Sequence, residues 1–450
     1  MKIVYLAAGA ADMYCGSCLH DNTLAAALLD AGEDVLLVPN YTPLRTDEES
    51  VSQRRVLFGG LNVYLQQKSA LFRHTPWLMD RLLDAPALIG WLAKRSVSVR
   101  AEDLGGLTVS MLHGEVGNQR KEVEKLVHWL AKDVRPDVVH LSNSMLVGMA
   151  RGIRRHLNVP IVCTLSGEDN FLEKLPSPFY EQAREALRER AAEITAFVSM
   201  NCYYADFMAD YLDVDRERIH VIPHGLKLQG HGTRRRMPSA NETVIGYFAR
   251  ITPDKGLHLL VEAFKLLCND AQLPRLRLRA AGYLGASDRG YLADLQARLK
   301  EWGLGDRFEY AGELDRAGKI AFLQSLDIMS VPTVYRESKG LSILEALANA
   351  VPVVVPSHGT FPELIADTGG GRLHAPNDPG ALAVAIKELI LDPRAAAEHG
   401  RLGQEAIRAR YTAPLMAQRT LALYAAVCTE ATKRRERRPE LTTETQRHRE

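Results

Sequence analysis

Short β-branched runs alternate with amphipathic stretches along this chain, and the alternation occurs twice. In the first half "KIVYLAA", "DVLLVP", "DVVHLS", "IVCTL", "AFVSM" and "IHVIP" read as buried strands. The helical patterns "NTLAAALLDAG", "EVEKLVHWLAKDV", "SMLVGMARGIRRHL" and "EQAREALRERAAE" lie between several of them. In the second half "TVIGYFA", "RLRLRAAG", "FEYAG", "DIMSVP" and "VPVVVP" accompany "GLHLLVEAFKLLCND", "GYLADLQARLKEWG", "AGKIAFLQSL" and "LSILEALANA". Strands that are apolar along their whole length are covered on both faces, and strands separated by helices run parallel. Between the halves, Pro223 to Glu242 is rich in Gly, Pro, Arg and Ser and has neither period, as a linker does. The sequence therefore predicts an α/β protein of two doubly wound, Rossmann-like domains, 1–222 and 243–410, facing each other across a cleft. The joining segment, 223–242, would hinge near residue 225. A cleft between such domains is a common ligand site.

Composition narrows the class. The chain has 450 residues, 46% of them hydrophobic and 25% charged, with a formal net charge of +1. That balance gives no electrostatic case for a nucleic-acid partner. Six scattered cysteines do not form a disulfide framework. No apolar run reaches the roughly 18 residues of a membrane-spanning helix. The opening "MKIVYLAAGAADMYCG" reads as a first buried strand and not as a signal peptide. These features predict a cytoplasmic protein. Residues 41–120 interrupt the alternation, and Trp77 and Trp91 sit there among aliphatics at helical spacing. A helical insertion over about 66–100 is expected, one face of which would alternatively meet an acceptor or a membrane surface. A helix over 411–430 should pack back toward the first domain. The charged segment 431–450 should be disordered.

The most informative stretch is "SVPTVYRESKGLSILEALANAVPVVVPSHGTFPELI". An apolar strand ends at Pro332, a loop carries Glu337 and Gly340, and a helix begins near Leu341 and carries Glu345. Gly340 lets a ligand approach the backbone, and the amides of Leu341 and Ser342 are free at a helix N-terminus. That is an anion site. Glu345, about one turn in, suits a sugar diol, so the pair reads as phosphate plus ribose. In "GYFARITPDKGLHLL" Arg250 and Lys255 follow a strand and precede a helix. They stand at the binding edge of such a sheet, where a diphosphate leaving group needs positive charge. Each taken alone also fits a strand-end Arg or a solvated Lys. A Lys just before a helix start is opposed by the dipole, which favours an anionic partner.

Here the sequence resembles the retaining nucleotide-sugar glycosyltransferases of the GT-B fold, the family four-like class related to sucrose and glycogen synthases. "FARITPDKG" is similar to the family's strand–Arg–x4–Lys-Gly turn. "ESKGLSILEALANAVPVV" is similar to its glutamate-pair motif, "GTFPELI" to the Gly–x–x–Pro-Glu turn after it, and "RFEYAGEL" to the segment whose backbone faces the nucleotide base. The resemblance covers most of residues 1–425. It implies that Arg250 and Lys255 bind the donor diphosphate and act with Glu337 in catalysis. Glu337 and the Gly340, Leu341 and Ser342 backbone would hold the donor sugar and phosphate, Glu345 the ribose, and Gly312 and Glu313 the base side. In the family the loop after the first strand carries a Gly-Gly pair. "CGSC" occupies that loop here, with Gly16 near the second glycine, so Gly16 would also meet the donor. Cys15 and Cys18 read as small residues of this loop, with a redox pair or half a zinc site as alternatives. The family's usual His after "IVCTL" is replaced by Ser166. Ser166, Glu168, Asp169 and His140 are the candidates on the acceptor side.

The resemblance implies transfer of a hexosyl group from a nucleoside-diphosphate sugar to an acceptor hydroxyl with retention of anomeric configuration. The acceptor would be a carbohydrate, a lipid-linked molecule or a small molecule, and the enzyme would be cytoplasmic or peripheral to the inner face of a membrane. No metal and no cofactor beyond the donor are expected. The one D-x-D, Asp213 and Asp215, lies in "YLDVDRERIHVIPHG" and reads as a surface turn. A nucleotide-sugar epimerase, a phosphorylase, or a non-catalytic sugar-nucleotide-binding protein on the same architecture are the competing readings.

Overall fold

The structure is a computed structural model, and it describes residues 1–9, 16–53, 101–232 and 242–436. The expected helical insertion, Cys15, Trp77, Trp91 and most of the charged tail lie outside the described residues.

Twelve strands among these residues form two six-stranded sheets, and every pairing is parallel. The first sheet holds β1 (Lys2–Ala7), β2 (Asp34–Pro39), β3 (Val138–Leu141), β4 (Ile161–Thr164), β5 (Ala196–Ser199) and β6 (Ile219–Val221) in the order β2-β1-β3-β4-β5-β6. The second holds β7 (Glu242–Phe248), β8 (Arg275–Ala281), β9 (Phe308–Tyr310), β10 (Ile328–Ser330), β11 (Val353–Pro356) and β12 (Gly371–His374) in the order β12-β11-β10-β7-β8-β9. Each order reverses direction at one place, between β1 and β3 and between β7 and β10. Helices leave opposite faces of the sheet there, and the crevice opens at the carboxyl ends of the strands. The apolar strands make this possible: Ile3 through Ala7 and Val353 through Val355 are buried throughout.

Four helices matter below and are labelled in chain order: α1 (Gly16–Asp30), α2 (Arg316–Gln324), α3 (Leu341–Ala348) and α4 (Ala413–Glu436). α4 returns to the first domain. Its Met416, Ala417, Tyr424 and Val427 complete a core with Ile3, Tyr5, Leu24, Leu28 and Val162. It runs six residues past the point where the sequence suggests a disordered tail, to Glu436. Both connections between the domains cross at one point. Leu226 N–H donates to Tyr411 O at 2.8 Å, and Ala413 N–H donates to Leu226 O at 3.0 Å. No helix among the described residues is long and apolar enough to cross a membrane.

Candidate functional site

The two switch points face each other. Between them lies a cavity of about 650 Å³ lined from both domains. The first domain contributes Gly16, Thr46, Asp47, Ser166 and Asn170, among others. The second contributes Arg250, Lys255, Glu313, Lys319, Glu337, Lys339, Gly340, Leu341, Ser342 and Glu345.

Local structure fixes the second-domain wall. Chain leaving β7 makes a short 3₁₀ turn, Pro253–Lys255, which ends on Gly256 at φ 77°. A Cβ on Gly256 would stand 1.8 Å from Pro332 O, so only glycine lets this turn lie against the strand end of β10. The close approach brings Lys255 to the loop carrying Glu337. Lys255 Nζ lies 2.6 Å from Glu337 Oε2, and Tyr335 donates its hydroxyl to the same oxygen at 2.8 Å. Burial alone would raise the Glu337 carboxyl, but Lys255 beside it and the hydrogen bonds from Lys255 and Tyr335 hold it at about 2. Glu337 is therefore an anion, and Lys255 is pinned beside it. Gly340, at φ 70°, caps α3 in the left-handed region. α3 begins with no acidic side chain in its first turn, so its amides face the cavity without a protein anion.

Arg250 lines the cavity and forms no ion pair with a described residue. Lys339 crosses the cleft, its Nζ donating to Ser17 Oγ at 2.8 Å at the start of α1. Glu345, one turn into α3, is buried and bound by Lys319 of α2, with Nζ 2.5 Å from Oε1. Burial raises the Glu345 carboxyl and Lys319 opposes that rise. The cavity thus has a cationic centre, a helix N-terminus beside it and a carboxylate farther along α3. It can hold a diphosphate and a diol at once.

Gly16, Ser166, Arg250, Lys255, Glu313, Glu337, Gly340, Leu341, Ser342 and Glu345 all line this cavity. Four of the candidate site residues do not. His140 lies inside β3, hydrogen-bonded to Tyr424 of α4 at 2.5 Å and to Thr164 at 2.7 Å. Burial lowers it to about 3, so it is a neutral core residue. Glu168 is turned inward and accepts from the Ser144 and Ser166 amides, at 2.7 Å each. Asp169 accepts from the Tyr204 hydroxyl at 2.7 Å. Both acids shape the loop that presents Ser166 and are not themselves presented. Gly312 stands one residue behind Glu313, its carbonyl accepting from Gly282 N–H at 2.9 Å. Cys18 is buried. Asp213 closes a helix in the left-handed region, so the D-x-D lies at a helix end away from the cavity.

Sequence reasoning missed Asp47, Lys319 and Lys339. Lys339 carried a signal, since it sits two residues from Glu337 in the loop before α3. Asp47 and Lys319 carried none, because Asp47 meets this wall only through the pairing of the two domains, and Lys319 reaches Glu345 from a separate helix of the second domain.

Both domains and the fold have counterparts among known proteins. Residues 234–408 match the family described as Glycosyl transferases group 1, and residues 105–229 match Glycosyltransferase Family 4. A glycogen synthase of Mycobacterium tuberculosis is 27% identical over 319 residues, 68% of this chain and 71% of that protein. A D-inositol 3-phosphate glycosyltransferase of Stackebrandtia nassauensis is 31% identical over 239 residues, 50% of this chain and 52% of that protein. Sucrose-phosphate synthase from Thermosynechococcus elongatus superimposes with a TM-score of 0.69 at 18% identity, over 96% of this chain and 100% of that one. Anabaena HepE, solved with UDP, gives 0.65 at 19% identity, over 95% and 100%. With both domain families matched in order and two parallel doubly wound sheets meeting at a shared cleft, the chain belongs to the GT-B glycosyltransferases of the family four-like kind.

Proposed function

We propose that this glycosyltransferase transfers a hexosyl group from a nucleoside-diphosphate sugar to an acceptor hydroxyl with retention of anomeric configuration. One observation carries the reading: Arg250, the Lys255–Glu337 pair and the N-terminus of α3 converge on one cavity wall, with Glu345 one helical turn beyond. Arg250, Lys255 and the Leu341 and Ser342 amides take the diphosphate. Glu345 accepts from the ribose hydroxyls. Glu337, held anionic, orients Lys255 and faces the sugar.

In the reaction the bond from the sugar C1 to the diphosphate oxygen breaks, and its electron pair leaves on the phosphate. The acceptor oxygen bonds to C1 on the same face, and its proton passes to the leaving phosphate oxygen. No side chain is asked to attack C1. The protein's part is to stabilise charge that builds on the leaving group, and fixed cations in a closed cleft do that well. Removing one charge-assisted bond to it costs about 1.5–3 kcal/mol, roughly 10- to 100-fold in rate.

The test is a thermal-shift panel of UDP, GDP, ADP and CMP on the purified protein and on Lys255→Ala. The expected result is a shift with one diphosphate that Lys255→Ala loses. The matching sugar nucleotide should then yield a glycoside product with the donor's anomeric configuration, read by NMR. No shift with any diphosphate overturns the donor reading, and an inverted product overturns retention.

A further inference from the structure

We propose that Asp47 of the first domain and Lys319 of the second are positioning residues of the nucleotide subsite, so that this subsite is complete only when the domains are closed. The inference rests on the donor reading above and concerns how that site is assembled.

Lys319 projects from the middle of α2 and is almost fully buried. Its ammonium is shared between two carboxylates. One is Glu345 of α3, at 2.5 Å, and the other is Asp47, which reaches it from the opposite domain. Asp47 and Glu345 are buried as well, at 9% and 6% side-chain exposure, and all three residues line the cavity. A buried lysine needs one carboxylate for neutrality. Glu345 already supplies it, so Asp47 leaves the trio with an extra negative charge. A buried ion pair is weak evidence for stability to begin with, and an unbalanced trio is weaker still. Its placement in the cavity wall points to positioning instead.

The neighbouring side chains support this. Arg45 pairs with Glu313 at 2.9 Å, and Glu48 pairs with Arg316 at 3.1 Å. Residues 45, 47 and 48 thus meet residues 313, 319 and 316 with opposite sign at each contact. Three complementary pairs in so short a segment specify one docked arrangement of the two domains. In that arrangement Lys319 is divided between two partners. Among the described residues only Lys319 bonds the Glu345 side chain, and it takes Oε1, which leaves Oε2 for a diol. If the domains part, Asp47 withdraws and the whole ammonium falls on Glu345, where it competes with the ribose. Closure thereby converts Glu345 from a neutralised pair member into an acceptor.

The experiment measures UDP, GDP and ADP affinity by calorimetry, together with donor KM and kcat, for wild type, Asp47→Asn, Lys319→Arg and Lys319→Met. Asp47→Asn should weaken the bound diphosphate and raise donor KM about 10-fold, while kcat changes little, because the lost interaction lies away from the reacting centre. Lys319→Met should do more, because the buried Glu345 then loses the cation that holds and orients its carboxylate, and Lys319→Arg should recover part of the loss. A structural role alone would lower the melting temperature and the active fraction and leave donor KM unmoved. Should Lys319→Met fail to fold, Asp47→Asn decides, since it keeps the Lys319–Glu345 pair. Unchanged affinity and KM in folded Asp47→Asn overturns this inference and leaves the donor reading intact. Failure of the wild type to bind any diphosphate overturns both.

Discussion

Gly16 of the first domain and Leu341 of the second stand so close across the cleft that a Cβ on Gly16 would lie 3.0 Å from Leu341 Cδ1. The N-termini of α1 and α3 therefore face each other at the point where the diphosphate is proposed to sit. A methyl at this distance demands a shift of a few tenths of an ångström, which the tip of a leucine can supply. A branched side chain demands more. Gly16→Ala is expected to keep most activity, and Gly16→Val to lose kcat/KM by about 10-fold or more through impeded closure. Gly16 is exposed, so both variants should melt like the wild type. Parallel kinetics and calorimetry check this. A melting loss that matches the activity loss would refute it.

The Lys255–Glu337 pair predicts a non-additive double mutant. Glu337 is buried, and without Lys255 its charge has lost its main partner. Lys255→Met should cost about 3–5 kcal/mol of stability, the usual penalty for breaking a buried pair from one side. Lys255→Met combined with Glu337→Gln removes the stranded charge and should be more stable than Lys255→Met alone. Denaturant titration of the three variants measures the coupling. Because Glu337 is held at about 2 against an ordinary 4.5, its contribution is fully present above pH 4.5 and is lost as pH falls toward 2. Glu337→Gln should therefore flatten the acid limb of the stability curve.

Much of the architecture is legible in the chain. All the runs quoted as strands are strands, and those buried on both faces, such as β1 from Ile3 to Ala7 and β11, are apolar throughout and stand out most. β12, "GRLH", is at the sheet edge with Arg372 and the exposed Leu373 between the buried Gly371 and His374, and its run is too short and mixed to signal itself. The helix Phe361–Thr368 before it and the helices Pro379–Leu391 and Pro393–Arg410 after it escape as well.

The site divides in the same way. Residues that act within one strand–loop–helix unit, such as Lys255, Glu337 and Glu345, declare themselves by spacing. Residues that act across the cleft, such as Asp47 and Lys339, do not, because no local pattern records the other domain. Sequence also overstates polar residues near strand ends. His140, Glu168 and Asp169 resemble cleft residues in one dimension, yet their partners Tyr424, Ser144 and Tyr204 come from elsewhere in the chain and hold them inside.

His140 tests that distinction. Its bond to Tyr424 ties β3 to α4, the helix that returns from the second domain. Tyr424→Phe removes the hydroxyl and leaves a buried imidazole nitrogen unsatisfied, at a cost of about 1–3 kcal/mol. The melting temperature should fall while donor KM stays constant. A change in donor KM without a change in melting would place His140 back in the site.

The buried histidines also set the response to acid. His20 and His224 meet where α1 packs on the interdomain segment, with their Nδ1 atoms 2.9 Å apart. Burial and the nearby Lys339 lower His20 to about 3, and burial lowers His140 to about 3. His224 is lowered as well, by burial first and then by His20, Lys339 and Lys319. A histidine lowered in the folded state favours folding only while it is neutral. Its contribution is complete above its ordinary value of 6.5 and is lost as pH falls from there toward 3, because the unfolded chain takes up a proton that the folded chain refuses. Each such group removes about 1.4 kcal/mol per pH unit in that window. Three of them should make the melting temperature fall steeply between pH 6.5 and pH 4.5. His20→Asn with His224→Asn should flatten that slope, and a scan of melting temperature against pH on the two proteins reads it directly. Equal slopes would mean that the pair is hydrated and titrates in the folded state.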